Sequence, residues 1–197
     1  MHYTKMTTNT QQKILQAALK KVHHYGWTEE MLEQASVDAG FSKGYGKLLF
    51  IGGLKDLVDL YVASIDELML AELKAIDMKA LGITAKIKLA LKTRIKILAG
   101  HKPVVAKTVS YLSAPWNAPL GLTLGWRSVD LIWREVAGDA SHDFNYYTKR
   151  GLLYTVYAAS IHFFLSDHSK NHHETDDFID RRIDDVLQVG KWLAKFK

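Results

Sequence analysis

Apolar residues recur along this chain three and four positions apart with polar residues between them, the mark of amphipathic helices. Ile14, Leu15, Ala18, Leu19 and Val22 form the first series, behind the capping candidates Thr8, Asn9 and Thr10, and Gly26 ends it. Thr28 caps a second helix that stops at Gly40, and Ser42 caps a very short third. From Gly53 the stripe running from Leu54 and Leu57 through Tyr61 and Ile65 to Leu73 and Ile76 predicts one long helix, with Lys55, Asp59, Asp66 and Lys74 on its solvent side. Thr84 caps a fifth helix whose Ile87, Leu91, Ile95 and Leu98 face inward, and a sixth runs from Pro103 to Leu112. After a loop with two prolines, Leu120 to Val136, Asp143 to Ser166 and Thr175 to Ala194 read as three more helices. No stretch alternates with period two. The pattern predicts an all-α chain of about nine helices: a helix-turn-helix-like module over 1–52 and a helical bundle over 53–197.

The penultimate helix is apolar or aromatic almost all round from Leu152 to Leu165, interrupted by Thr155, Ser160 and His162. Such a helix is expected to be surrounded by others. It forms the centre of the bundle, or part of it lines an apolar cavity.

With 197 residues, 48% of them hydrophobic, the chain can bury a sizeable core without staples. The absence of cysteine excludes disulfides, thiolate metal sites and thiol nucleophiles. Met1 to Gln12 lacks the apolar run of a secretory signal, and Gly151 to Ser166 is shorter than the roughly 20 residues of a spanning helix. A cytoplasmic chain with at most peripheral membrane contact is expected. The net charge of +5 is unevenly spread: no acidic residue lies between Asp77 and Asp130, whereas Asp176, Asp177, Asp180, Asp184 and Asp185 cluster near the end. The basic run is a solvated helix face or a surface for phosphate headgroups or an acidic partner.

Gly40-Phe41-Ser42-Lys43-Gly44 has the spacing of a hydrolase nucleophile elbow, but no strand leads into the serine. Gly44-Tyr45-Gly46 is half of a dinucleotide fingerprint, also without its strand. His168, His172 and His173 near Glu174, Asp176 and Asp177 match no standard ligand spacing, and no Glu-x-x-His occurs. No enzyme, metal or cofactor is expected.

Ile14-Leu15-Gln16-Ala17-Ala18, Gly26-Trp27-Thr28, Ala39 to Gly44 and Leu57 together resemble the helix-turn-helix module of TetR-type repressors. DNA reading requires net positive charge there. Lys13, Lys20, Lys21, Lys43, Lys47 and Lys55 are instead matched by Glu29, Glu30, Glu33, Asp38, Asp56 and Asp59, and the third segment ends in the apolar Leu48-Leu49-Phe50-Ile51. No specific nucleic acid is expected, although a TetR-type ligand-responsive transcriptional regulator remains the alternative reading.

The second half carries a longer string: Ala114 to Pro119, Trp126-Arg127-Ser128-Val129-Asp130, Ile132-Trp133, Ala137-Gly138-Asp139, Asp143 to Arg150, and Arg181 to Val186. These segments resemble the coenzyme Q biosynthesis accessory family, ninth of its series, in its bacterial branch. The resemblance implies a TetR-like fold and a non-catalytic protein of ubiquinone biosynthesis. It further implies a chain that binds an isoprenoid quinone or phospholipid at a membrane and presents it to the demethoxyubiquinone hydroxylase. Asp130, Ile132, Trp133, Asp143, Tyr146 and Tyr147 are implied as the surface for that hydroxylase.

The excess of apolar faces leads us to expect a lipid cavity lined by Leu112, Leu122, Trp126, Val156, Ser160, Phe163 and Phe164. Membrane contact is expected through Lys86, Lys88, Lys92 and Lys96 and through the tail residues Trp192 and Phe196, peripheral to the inner membrane. The chain is expected to form a homodimer.

Overall fold

The computed structural model describes residues 9–139 and 144–194. Ten α-helices follow one another among the described residues: α1 (Asn9–Leu19), α2 (Val22–Tyr25), α3 (Glu29–Asp38), α4 (Tyr45–Leu49), α5 (Leu54–Lys74), α6 (Ile83–Ala99), α7 (Lys102–Ser113), α8 (Ala118–Leu131), α9 (Phe144–Ser166) and α10 (His173–Ala194). There is no strand among them, so the chain is all-α as its periodicity predicts.

Thr28 caps α3 as expected, its hydroxyl accepting the Met31 amide at 3.2 Å. Four local features differ from the sequence reading. The first helix is broken at Lys20 and Lys21, where the Lys21 amide bonds back to the Ala18 carbonyl at 2.8 Å, a tightened turn after which α2 restarts. Ser42 is not a side-chain cap: α4 begins at Tyr45 behind Gly44, whose φ of 87° is the left-handed region open to glycine. Thr84 likewise lies inside α6, which starts at Ile83 after Gly82 with no side-chain cap. Finally, α8 continues into a π turn over Ile132–Val136, closed by the Ala137 amide on the Ile132 carbonyl at 3.0 Å.

The helices gather into two compact units, the first formed by Met1–Ser64 with Lys102–Gly121 and the second by Ile65–His101 with Leu122–Lys197. Packing thus assigns the first turns of α5 and all of α7 to the N-terminal unit, beyond the motif boundary drawn at 52. The core of this unit includes Ile14, Leu15, Ala18, Val22, Met31 and Leu32, all fully buried. Each contributes about 1.5–3 kcal/mol of transfer free energy if it is Leu, Ile or Val in size. Trp27 ties α7 to the module by donating its indole N–H to the Thr108 hydroxyl at 3.0 Å. Gly46 lets α4 lie directly on α3, since a Cβ there would stand 2.3 Å from Ser36 Oγ and 2.9 Å from Leu32 Cδ1.

The second unit packs the later turns of α5 with α6, the end of α8, α9 and α10. Its core runs through Ile65, Met69, Leu91, Ile95, Val129, Leu153, Phe164 and Ile179. In the single chain α9 is not enclosed all round as the sequence suggests: Tyr147, Thr155, Ala158, Ala159, His162 and Ser166 are exposed along one stripe. Small and polar side chains on that stripe make its exposure cheap, and their apolar or near-neutral hydropathy hid it from the pattern.

Gly46→Ala should lower stability by about 1–3 kcal/mol through overpacking, read as a reduced urea midpoint. Gly82→Ala, where an added Cβ meets nothing within 4 Å, should leave the midpoint almost unchanged.

Candidate functional site

Four helices of the second unit each place one polar side chain at a common buried point: Asp66 from α5, Arg94 from α6, Ser128 from α8 and Tyr157 from α9. Arg94 donates from Nη1 to Asp66 Oδ1, from Nε to the Tyr157 hydroxyl at 3.0 Å, and from Nη2 to Ser128 Oγ at 3.2 Å. Ser128 in turn donates to Asp66 Oδ2 at 3.1 Å. Arg94 is 2% exposed and Asp66 5% exposed, which corrects the placement of Asp66 on a solvent face. Burial alone would lower the pKa of the guanidinium, but the Asp66 carboxylate and the Tyr157 hydroxyl outweigh it and raise that pKa further. The group therefore stays charged and serves as a tie between helices.

Beside this junction the π turn and the start of α9 build a clasp. Asp130 Oδ1 accepts Arg150 Nε at 2.6 Å and the Tyr146 hydroxyl at 3.1 Å, while its Oδ2 accepts Arg134 Nη1 at 3.2 Å. Arg150 reaches Asp139 Oδ2 at 3.3 Å and lies 3.6 Å from the centre of the Tyr146 ring. Lys149 completes the arrangement, bonded to Asp139 at 3.1 Å and 5.6 Å above the Trp133 ring. Burial, then Asp130, raises the pKa of the Tyr146 phenol, so it remains a hydroxyl donor. In front of the clasp Tyr147 is 64% exposed, edge-on to Tyr146 at 5.0 Å and 6.4 Å from Trp126.

Of the residues assigned to partner contact, Asp130, Trp133, Tyr146 and Tyr147 are thus brought together. Ile132 is corrected: at 1% exposure it belongs to the core, because the π turn points it inward, and it supports the surface from beneath. Asp143 lies outside the described residues.

Of the residues assigned to a lipid cavity, Val156, Ser160 and Phe164 share the buried face of α9, and Ser160 satisfies its hydroxyl on the Val156 carbonyl at 2.7 Å. Phe163 stacks on Phe178 of α10 with centroids 4.6 Å apart. Trp126 is half-buried, while Leu122 is 59% exposed on α8. Leu112 belongs to the first unit, half-buried against Gly121.

The COQ9 family model matches residues 118–190, the span of α8, the π turn, α9 and most of α10, and the model of the ubiquinone biosynthesis protein COQ9 N-terminal domain matches residues 9–33. The chain belongs to the COQ9 family. It is 33% identical over 193 residues to the probable ubiquinone biosynthesis protein coq9, mitochondrial, of Dictyostelium discoideum, covering 91% of this chain and 60% of that one. To the ubiquinone biosynthesis protein COQ9, mitochondrial, of Homo sapiens it is 29% identical, covering 95% of this chain and 60% of the relative. The chain therefore spans about three fifths of the length of these relatives. A solved structure of the TetR transcriptional regulator from Nitrosomonas europaea ATCC 19718 superposes with a TM-score of 0.73 at 19% identity, covering 92% of this chain and 99% of that one. The fold is TetR-like.

Two further features qualify this COQ9-family chain. In the N-terminal module, Lys21 pairs with Asp38 at 2.8 Å, and Lys47 pairs with Glu33 at 2.9 Å and Glu29 at 3.6 Å. Leu48 and Ile51 stand 80% and 93% exposed beside them, while Phe50 is buried. The basic row of α6 is also largely paired. Lys88 meets Asp184 at 2.7 Å, Lys92 meets Asp180 at 2.7 Å and Lys96 meets Glu72 at 3.4 Å, so these lysines are not the unpaired cationic face that the acid-free run suggests. Phe196 and the side chain of Trp192 lie outside the described residues.

Sequence reasoning missed Asp66, Tyr157, Asp139 and Arg150 as interacting groups. It also missed Asp167, whose carboxylate accepts the Ser169 amide at 2.7 Å, the Thr175 amide at 2.9 Å and the Thr175 hydroxyl at 2.5 Å. An aspartate two residues before a serine, at the end of an apolar run, was the available signal.

Removing one partner of the buried pair, as in Asp66→Ala, should cost about 3–5 kcal/mol, whereas the double change Asp66→Leu with Arg94→Met should cost much less; thermal denaturation of the two variants beside the unaltered chain checks this. Burial raises the pKa of Asp167, but its hydrogen bonds prevail and hold it well below the usual carboxylate range. A depressed folded pKa contributes stability that is present above about pH 4 and lost as pH falls through the folded value. Asp167→Asn should therefore lose about 1 kcal/mol at neutral pH, and the difference from the unaltered chain should shrink as denaturation is repeated at lower pH.

Proposed function

We propose that this chain is a non-catalytic lipid-binding accessory protein of ubiquinone biosynthesis. It binds an isoprenoid quinone precursor or phospholipid and presents it to the demethoxyubiquinone hydroxylase at a membrane. The observation that carries this reading is the family match over residues 118–190, because that stretch holds both the clasp and the inward apolar face of α9. A polyprenyl tail costs roughly 25 cal/mol per Å² of apolar surface left in water, so a helical carrier that covers the tail needs no reactive group of its own. Val156, Ser160, Phe163 and Phe164, with Trp126 and Leu122, are the proposed lipid contacts.

Tyr147 and Tyr146, with Trp133 and Asp130, are the proposed hydroxylase surface. Exposed aromatics held by a rigid charged support have the character of interface anchors. No helix among the described residues is long and apolar enough to cross a membrane, so attachment is proposed to be peripheral to the inner membrane through the α6 lysines and the tail. The exposed small-residue stripe of α9 supports a homodimer. The internally paired lysines and exposed Leu48 and Ile51 of the N-terminal module argue against specific nucleic-acid binding.

Mass spectrometry of lipid extracted from the purified chain should find an isoprenoid quinone, its precursor or a phospholipid. A chain free of lipid that also fails to take up added quinone precursor would refute the carrier role, and a salt-dependent, sequence-selective DNA shift would favour a TetR-type regulator. Tyr147→Ala should weaken hydroxylase binding by about tenfold or more with the melting temperature unchanged, as titration of the two purified proteins would show.

A further inference from the structure

The lysines of α6 and the aspartates of α10 share one spacing. Lys88 and Lys92 are one helical turn apart, and so are Asp180 and Asp184 opposite them. Lys92 bonds Asp180 at 2.7 Å, and Lys88 bonds Asp184 at 2.7 Å and approaches Asp180 at 3.9 Å. These side chains are only partly covered, from 21% exposed at Lys88 to 55% at Asp184. Beneath them lie the buried apolar residues Ile87 and Leu91 of α6 and Ile179 and Ile183 of α10. Beside them Phe178 of α10 stacks on Phe163, one of the proposed lipid contacts.

We infer that this ladder is a lipid-exchangeable latch: the phosphates of an anionic phospholipid surface replace Asp180 and Asp184 on Lys88 and Lys92, and α10 loosens from α6 where the chain meets the membrane. The inference rests on the proposed membrane attachment and deepens it. Partly solvated ion pairs are weak, and an anionic bilayer attracts each nearby lysine about as strongly, so the exchange has no large cost. The aspartates expelled from the lysines are repelled by the same surface, which drives α10 away in the same direction. Loosening α10 uncovers Ile87, Leu91 and Phe163, an apolar way into the side of α9 that the proposal assigns to lipid. Lys96 takes no part in the latch, because its partner is Glu72 of α5.

The test is hydrogen exchange on the intact chain, free, with phosphatidylcholine vesicles, and with vesicles containing phosphatidylglycerol. Amides across 176–188 should lose protection by about tenfold with the anionic vesicles alone. The variant Asp180→Asn with Asp184→Asn should bind those vesicles several-fold more tightly than Asp177→Asn with Asp185→Asn, which makes the same change in net charge at exposed aspartates of the same helix that pair with neither Lys88 nor Lys92. Binding to anionic vesicles with α10 still protected, or equal affinities of the two double variants, would overturn the latch and leave membrane attachment standing. No binding to either vesicle would overturn the attachment itself, and the latch with it.

Discussion

A guanidinium taken out of water must have every strong demand met where it is placed, and the second unit is arranged around that demand. Arg94 is supplied by Asp66, Ser128 and Tyr157, so α5, α6, α8 and α9 can close on one another only at the heights and rotations that bring those groups together. Apolar packing alone tolerates sliding of one helix past another by a turn. The buried junction removes that freedom, since any slip leaves an unpaired charge. The clasp at Asp130 and Arg150 begins two residues after Ser128 and therefore inherits its position.

The chain separates rigid from exchangeable electrostatics. Arg94 and Arg150, each 2% exposed, hold the frame. The lysines of α6 and of the N-terminal module make pairs open to water, which salt or another charged surface can replace. Aromatic surface is supported by the first kind and apolar interior is covered by the second. The proposed carrier role would use both: a fixed face for a protein partner and a movable one for a ligand entering from a bilayer.

Helix class was legible because apolar spacing is a local signal, and Thr28 was legible as a cap because capping is decided within four residues; the count fell short, at about nine against ten among the described residues. The partners of polar groups were not. Asp66 reads as a solvent-facing residue of an amphipathic helix until Arg94, 28 positions later, is seen to meet it. The acid-free run reads as a cationic face until Asp180, 88 positions beyond Lys92, is folded against it. The segments that carry the COQ9 resemblance did contain the clasp, but a string of residues does not reveal that Arg150 is its centre or that Ile132 is turned inward. The break at Lys20 and Lys21 was hidden because a tightened turn leaves the apolar spacing on either side intact.

The π turn at Ile132–Val136 holds one more residue between bonded groups than an α-helical turn does. An α-helix rotates about 100° per residue, so that extra residue sets the angular phase of everything before Gly138. Without it the Asp139 carboxylate would leave Arg150 and Lys149 by a comparable angle, and Trp133 would lose the cation above its ring. A single codon lost from this short stretch would thus rotate the buried Val136 away from the core and dismantle the aromatic face in the same step, which makes the length of the turn a quantity that core and surface both depend on.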